Sequence, residues 1–153
     1  MSRIDRFDHV GITVADLDTA TAFFVELGFE VEGRTFLEGE FLDTVIGIPG
    51  SRTEMVLLRL PDEATRLELT RFIRPDQESG SPDAMATRLG LSNVSFEVNG
   101  LRSILDRLAA NGYSLIGGVG EYENVWAMAS VRGPEGIIVN LAERISDPPA
   151  EHG

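Results

Sequence analysis

The stretch Phe7-Asp8-His9-Val10-Gly11-Ile12-Thr13-Val14 decides the fold, together with the residues that follow it to Val31. Val10, Ile12 and Val14 alternate with His9, Gly11 and Thr13, the period of a strand with one apolar face, so His9 points away from the apolar set. Asp16 and Asp18 then offer N-cap side chains. Leu17, Ala20, Phe23, Phe24 and Leu27 recur at helical spacing until Gly28 supplies a stop tolerant of the left-handed conformation. The unit reads strand, helix, then a strand from Phe29.

The same grammar returns 84 positions later, where His9 falls on Asn93, Val10 on Val94, Val14 on Val98 and Leu17 on Leu101. Leu101, Ile104, Leu105 and Leu108 keep one helix face, and Gly112 ends it as Gly28 ends the first. A second correspondence, offset by 73, links Met55 to Met128, Arg59 to Arg132 and Pro61 to Pro134. Two halves of similar design make one protein.

With 153 residues and 42% hydrophobic content, the chain suffices for one compact domain or two small halves. It has no Cys, which excludes disulfides, thiolate metal sites and Cys nucleophiles and points to a reducing compartment, the cytoplasm by default. No apolar stretch approaches a membrane span of about 20 residues, so no membrane partner is expected. The formal charge of -12 is scattered along the chain and would repel a phosphate backbone, so no nucleic-acid partner is expected.

After the first helix, Phe29 to Thr35 reads as a strand. Phe36 to Ser51 is Gly-containing and apolar, too long for an ordinary hairpin connection of about two to five residues. It reads as a lid, a dimer contact or a short amphipathic turn of helix closing the core. Thr53 to Leu60 and Arg66 to Phe72 form a hairpin through Pro61-Asp62-Glu63-Ala64. Leu67 and Leu69 alternate with Glu68 and Thr70, so Glu68 faces away from the apolar pair, as His9 does. Module one thus spans 4–74, a linker 75–90, and module two 91–145. The linker contains a short helix at Asp83 to Leu89 in this reading, and 146–153 is a flexible tail that holds His152.

Each half has βαβββ order, and one helix covers only one face of a four-stranded sheet. The expected fold is α+β, with two βαβββ modules in tandem forming a curved mixed sheet around a cavity. The faces without helices carry His9, Thr13, Glu68 and Thr70 from module one, and Asn93, Ser95, Glu97 and Asn140 from module two. Polar groups in a concave, otherwise apolar cleft describe a small-molecule site. Gly117-Gly118-Val119-Gly120 lacks the spacing and helix of a nucleotide loop and reads as a turn.

Phe7 to Val14 with Asp16-Leu17-Asp18 after it, Leu67-Glu68-Leu69, and Arg132-Gly133-Pro134-Glu135-Gly136 ahead of a final apolar strand resemble the vicinal oxygen chelate superfamily. That group holds glyoxalase I, methylmalonyl-CoA epimerase, extradiol dioxygenases, fosfomycin-modifying enzymes and bleomycin-binding resistance proteins. The resemblance covers roughly residues 4 to 145 and implies fold more than activity. It implies four metal-ligand positions, which fall here on His9, Glu68, Asn93 and Asn140. The family's pattern has His where Asn93 stands and Glu where Asn140 stands. A divalent Mn²⁺, Mg²⁺, Zn²⁺ or Ni²⁺ is therefore expected to bind more weakly than to a full set.

Two functions stay open on this resemblance. One is a glyoxalase-like metal-dependent lyase or isomerase working through His9 and Glu68, with the ion as Lewis acid and Glu97, Glu121 or Glu123 as base. The other is a metal-free protein of the bleomycin-resistance type that sequesters a natural product. Thr13, Phe41, Trp126, Met128 and Tyr122 are the expected ligand contacts, with Phe36 and Met55 beside them, and Trp126 shares a strand face with Met128, Ser130 and Arg132. A lone Glu on a strand is more often solvated than catalytic, and an aromatic at strand spacing is more often core. A dioxygenase is disfavoured, because its iron takes two His and one carboxylate. A homodimer is implied, which would also cover sheet edges.

Overall fold

The computed structural model describes residues 2–62 and 64–146. Glu63 of the expected hairpin turn and all of the expected tail beyond Ser146, His152 included, lie outside the described residues. The chain divides into two compact units between Ser79 and Gly80. Each carries one four-stranded mixed sheet, and neither sheet closes into a barrel.

The first unit runs β1 (Val10–Thr13), α1 (Leu17–Glu26), β2 (Glu30–Glu38), α2 (Glu40–Ile46), β3 (Arg52–Arg59) and β4 (Arg66–Arg74). Its sheet order is β1-β4-β3-β2, with β1 parallel to β4 and the other pairs antiparallel. α1 starts at Asp16, whose side chain accepts from the Thr19 N–H at 3.0 Å. It packs Leu17, Ala20, Phe23 and Phe24 on the inward residues Val56, Leu58, Leu67 and Leu69 of β3 and β4. Phe24 meets Phe23 and Phe29 edge to face, at centroid distances of 5.1 and 5.7 Å. Beside this core Arg34 joins Asp18 at 2.8 Å and Glu54 at 3.3 Å, with Arg71 3.5 Å from Glu54. Glu54 is held below the usual carboxylate range, first by the hydrogen bond from Arg34 and then by the charges of Arg34 and Arg71, against partial desolvation.

The second unit repeats the plan with β5 (Val94–Glu97), α3 (Leu101–Ala110), β6 (Gly120–Tyr122), β7 (Trp126–Arg132), a 3₁₀ turn (Pro134–Gly136) and β8 (Ile138–Arg144), in sheet order β5-β8-β7-β6. Its core is Leu101, Leu108, Val125, Ala127, Ala129, Val131, Ile138, Val139 and Leu141, without an aromatic ring. α3 begins at Gly100, which is left-handed at φ 85° and has no side chain to cap with. The Glu143 carboxylate on β8 replaces it, accepting from the N–H groups of Gly100 and Leu101.

Two strand bounds shift, one of the alternatives for 36–51 is selected, and one expected helix is absent among the described residues. β1 begins at Val10 rather than Phe7, and β2 runs past Thr35 to Glu38. The 36–51 segment resolves into the end of β2 and the α2 helix, which buries Leu42. No helix forms over Asp83 to Leu89, where a pair of turns stands instead. The Arg132 guanidinium takes the carbonyls of Pro82 at 3.0 Å and Ala84 at 2.7 Å, the acceptors that a helix would need for its own amides. No helix among the described residues is long and apolar enough to cross a membrane.

Candidate functional site

In the first unit, the sheet face away from α1 forms the floor of a cavity of about 540 Å³, and α2 forms its rim. The floor carries His9, Gly11 and Thr13 from the β1 side, Glu68, Thr70 and Phe72 from β4, Thr53 and Met55 from β3, and Leu37 from β2. Phe41, Leu42, Val45 and Ile46 project from α2. This helix lies between two left-handed glycines, Gly39 at φ 114° and Gly47 at φ 73°. Its exit loop is pinned by Asp43, whose carboxylate accepts from the N–H groups of Gly50 at 2.8 Å and Ser51 at 2.9 Å. Leu42 is buried, while Phe41 and Val45 stay 74% and 66% exposed and leave the rim greasy.

His9 and Glu68 meet at one end of this cavity. Parallel pairing sets Gly11 opposite Glu68, and Gly11 has no side chain to separate the carboxylate from His9. His9 Nε2 lies 3.3 Å from Glu68 Oε2, and His9 Nδ1 lies 2.6 Å from Asp8 Oδ2. Glu68 Oε1 in turn accepts from the Thr70 hydroxyl at 3.4 Å. Asp8 is held below the usual range, chiefly by the hydrogen bond from His9, with the charges of His9, Arg6 and Arg66 adding. An imidazole that donates Nδ1–H to Asp8 turns an Nε2 lone pair toward Glu68. Two acceptors facing each other at 3.3 Å need a proton or a cation between them.

That separation also matches neighbouring ligands of one ion, whose bonds are about 2.1 Å each. The Asp8-His9 contact is then the outer carboxylate that orients a metal-bound imidazole. Among the described residues no group of three or more His, Cys, Asp or Glu gathers around such a point. The residues of the first unit thus fit two positions of a metal site.

The remaining residues of the expected metal set lie in the second unit, on matching register. Asn140 pairs with Ser95 as Glu68 pairs with Gly11, and Asn93 precedes β5 as His9 precedes β1. The Asn140 side-chain oxygen accepts from the Ser130 hydroxyl at 2.6 Å. Glu97, exposed at the end of β5, shares that face with Ser95 and Asn140 and is paired to Ala142, which is paired in turn to Met128. Met128 is 42% exposed, and Trp126 lies under the Arg144 guanidinium at 4.8 Å. Tyr122 on edge strand β6 sits opposite Trp126, whereas Glu121 sits opposite buried Ala127, on the face that α3 covers. Glu123 stands at the tip of the β6–β7 turn.

Of the expected ligand contacts, Thr13 and Phe41 line this cavity. Sequence reading assigned no role to Asp8 and Ser130, which act only through His9 and Asn140, or to Leu42, Val45 and Ile46 as lining residues. The adjacency of Asp8 to His9 was a visible signal; the Ser130–Asn140 pairing needs the strand register.

The family model for the glyoxalase/bleomycin resistance protein/dioxygenase superfamily matches residues 8–129. A glyoxalase family protein from Bacillus cereus is 36% identical, over 95% of this chain and 97% of its own, with a TM-score of 0.91. A glyoxalase I mutant from Zea mays shares the fold at 16% identity and TM-score 0.65, over 94% of this chain and 47% of its own. So does a genomically encoded fosfomycin resistance protein from Listeria monocytogenes, at 11% identity and TM-score 0.63, over 96% and 97%. No protein of curated function matches the chain in sequence. With a family model matched over most of its length and a relative of this identity, the chain belongs to the glyoxalase/bleomycin resistance protein/dioxygenase superfamily.

Proposed function

We propose that this protein is a glyoxalase-like lyase or isomerase that acts on an oxygen-bearing small molecule in the module-one cavity, with a divalent ion held in part by His9 and Glu68. The observation that carries the reading is the 3.3 Å approach of His9 Nε2 to Glu68 Oε2, backed by Asp8 at 2.6 Å, at one end of an apolar cavity. When bound there, the ion supplies Lewis-acid polarisation of substrate oxygen. The chain's own residues do the rest. Asp8 fixes the ring of His9, and Thr13 and Thr70 offer hydroxyls to substrate oxygens. Phe41, Val45 and Phe72 exclude water from the floor.

A second reading, a metal-free binding protein, is favoured by the Asn140–Ser130 hydrogen bond, which takes up one lone pair of the amide oxygen, and by the neutral Asn93 and Asn140 standing where the family's pattern has His and Glu. In that case His9 and Glu68 hydrogen-bond each other, and burial against the α2 rim supplies the affinity.

Elemental analysis of chelator-free protein and titration with Mn²⁺, Zn²⁺ and Ni²⁺ separate the two. Stoichiometric binding in the wild type that disappears in His9→Ala supports the enzyme. Equal metal content in both proteins removes His9 as a ligand, and no metal at millimolar concentration leaves the binder. Gly11→Leu provides a plug, since a Cβ at Gly11 meets no atom within 4 Å. It should fold normally and lose ligand binding.

A further inference from the structure

A second cavity of about 570 Å³ opens beside the first, and the two share Thr13 and Phe72 in their linings. Ile48, at the exit of α2, and Pro75, just past β4, wall it with apolar surface, and Asp76 and Glu78 stand at its margin. The loop after β4 is tied down by Gln77, whose side-chain oxygen accepts from the Phe72 N–H at 2.6 Å. Either cavity alone has the volume of a drug-sized site.

The charge of the linings is one-sided. Glu68, Asp76 and Glu78 contribute carboxylates, and among the described residues no Arg lines either cavity. The chain has no lysine to reach in from elsewhere. The arginines adjacent in sequence to lining residues are engaged: Arg52 and Arg74 with Glu38 at 2.8 and 2.9 Å, and Arg71 with Glu54 at 3.5 Å. A phosphate, sulfonate or carboxylate on the substrate body would therefore meet like charge with no cation to neutralise it.

We propose that the two cavities are one groove taking an elongated, mainly apolar molecule without anionic groups, its oxygen-bearing end at His9 and Glu68 and its far end between Pro75 and Glu78. The assignment of the oxygen-bearing end rests on the functional reading above; the length and charge selection of the groove do not. Phe72, on the shared wall, is the surface against which an aromatic or aliphatic midsection packs.

The test uses four probes built on 2-hydroxyacetophenone, which carries neighbouring hydroxyl and ketone oxygens. The para position bears hydrogen, phenyl, 4-carboxyphenyl or 4-(aminomethyl)phenyl. Dissociation constants are measured calorimetrically on the full chain, with stoichiometric Mn²⁺ and again with chelator. The phenyl probe should bind at least tenfold tighter than the unextended one, and the carboxylate at least tenfold weaker than the amine. In Glu78→Arg, a change at an exposed position, the carboxylate penalty should shrink at least threefold. An extension that adds nothing, a carboxylate that binds as well as the amine, an unchanged ratio in Glu78→Arg, or no binding of any probe overturns the groove. The order persisting with chelator and in His9→Ala keeps the groove, and Mn²⁺ that neither binds stoichiometrically nor tightens any probe removes the metal. Stoichiometric Mn²⁺ binding without the order keeps the metal and removes the groove.

Discussion

The two modules place different chemistry on the same scaffold positions. Where module one sets Glu68 across from Leu57 and beside Gly11, module two sets Asn140 across from Ser130 and beside Ser95. The first pairing leaves a carboxylate free to face His9; the second joins amide to hydroxyl at 2.6 Å and closes on itself. The helix-facing positions differ in the same sense. Glu54, tied to Arg34 and Arg71, stands where Ala127 stands in module two, and the buried Phe23, Phe24 and Phe29 stand where module two has Arg107, Leu108 and Tyr113, of which only Leu108 is in the buried core. A duplicated frame has kept its backbone register while one copy concentrated charge and aromatic packing. The pair His9–Glu68 sits on the copy with the more strongly tied core.

The largest effect should come from that core. Phe24→Ala removes a fully buried ring with two edge contacts and should cost about 3–5 kcal/mol by chemical denaturation. Leu108→Ala in module two should cost less than Phe24→Ala; the reverse would break the contrast. Next, Glu68→Asn gives module one the side chain of module two and, on the proposed reading, should weaken Mn²⁺ binding about 100-fold with the fold intact, read by circular dichroism and metal titration, since the one carboxylate of the pair is lost. Asp8→Asn frees the His9 ring and should weaken Mn²⁺ about tenfold, within the range for such outer partners. Unchanged affinity there would make Asp8 a bystander.

The ion network gives a pH signature. Glu54 is depressed in the folded state, so its contribution is complete above the ordinary glutamate value of about 4.3 and fades as pH falls through the lower folded value. Glu54→Gln should lose the acid-side dependence that this group adds, measured as the slope of unfolding midpoint against pH below 5. The smallest effect belongs to module two's turn, where Glu123 and Asn124 hold φ of 50° and 55°. Glu123→Gly should relieve strain and change stability by no more than about 1 kcal/mol, upward.

Most of this frame was legible in the sequence because it rests on local periodicity. The 84-residue offset transfers Val10–Thr13 onto Val94–Glu97 and Leu17–Glu26 onto Leu101–Ala110 without slippage. What escaped depended on partners distant in sequence. Asp83 to Leu89 carries helix-forming residues, but Arg132, far along the chain, takes its carbonyls. Likewise His9 and Glu68 could each be placed on the open face by alternation, yet their 3.3 Å approach follows from parallel pairing of β1 with β4, which alternation does not specify. The Ser130–Asn140 hydrogen bond depends on the register of β7 with β8 and was equally hidden.

The two helices differ finally in when they can be finished. The Asp16 carboxylate accepts from the N–H of Thr19, only three residues on, so α1 carries its own cap and is complete as soon as it is synthesised. α3 borrows its first-turn acceptor from Glu143, which lies 43 residues after Gly100. On a ribosome the first turn of α3 waits until β8 has been made, and a nascent protein stopped before β8 has one helix closed and one open. Amide exchange on a chain ending at Ile137 should show protection at α1 and none at the start of α3; protection at both would place the closing acceptor elsewhere.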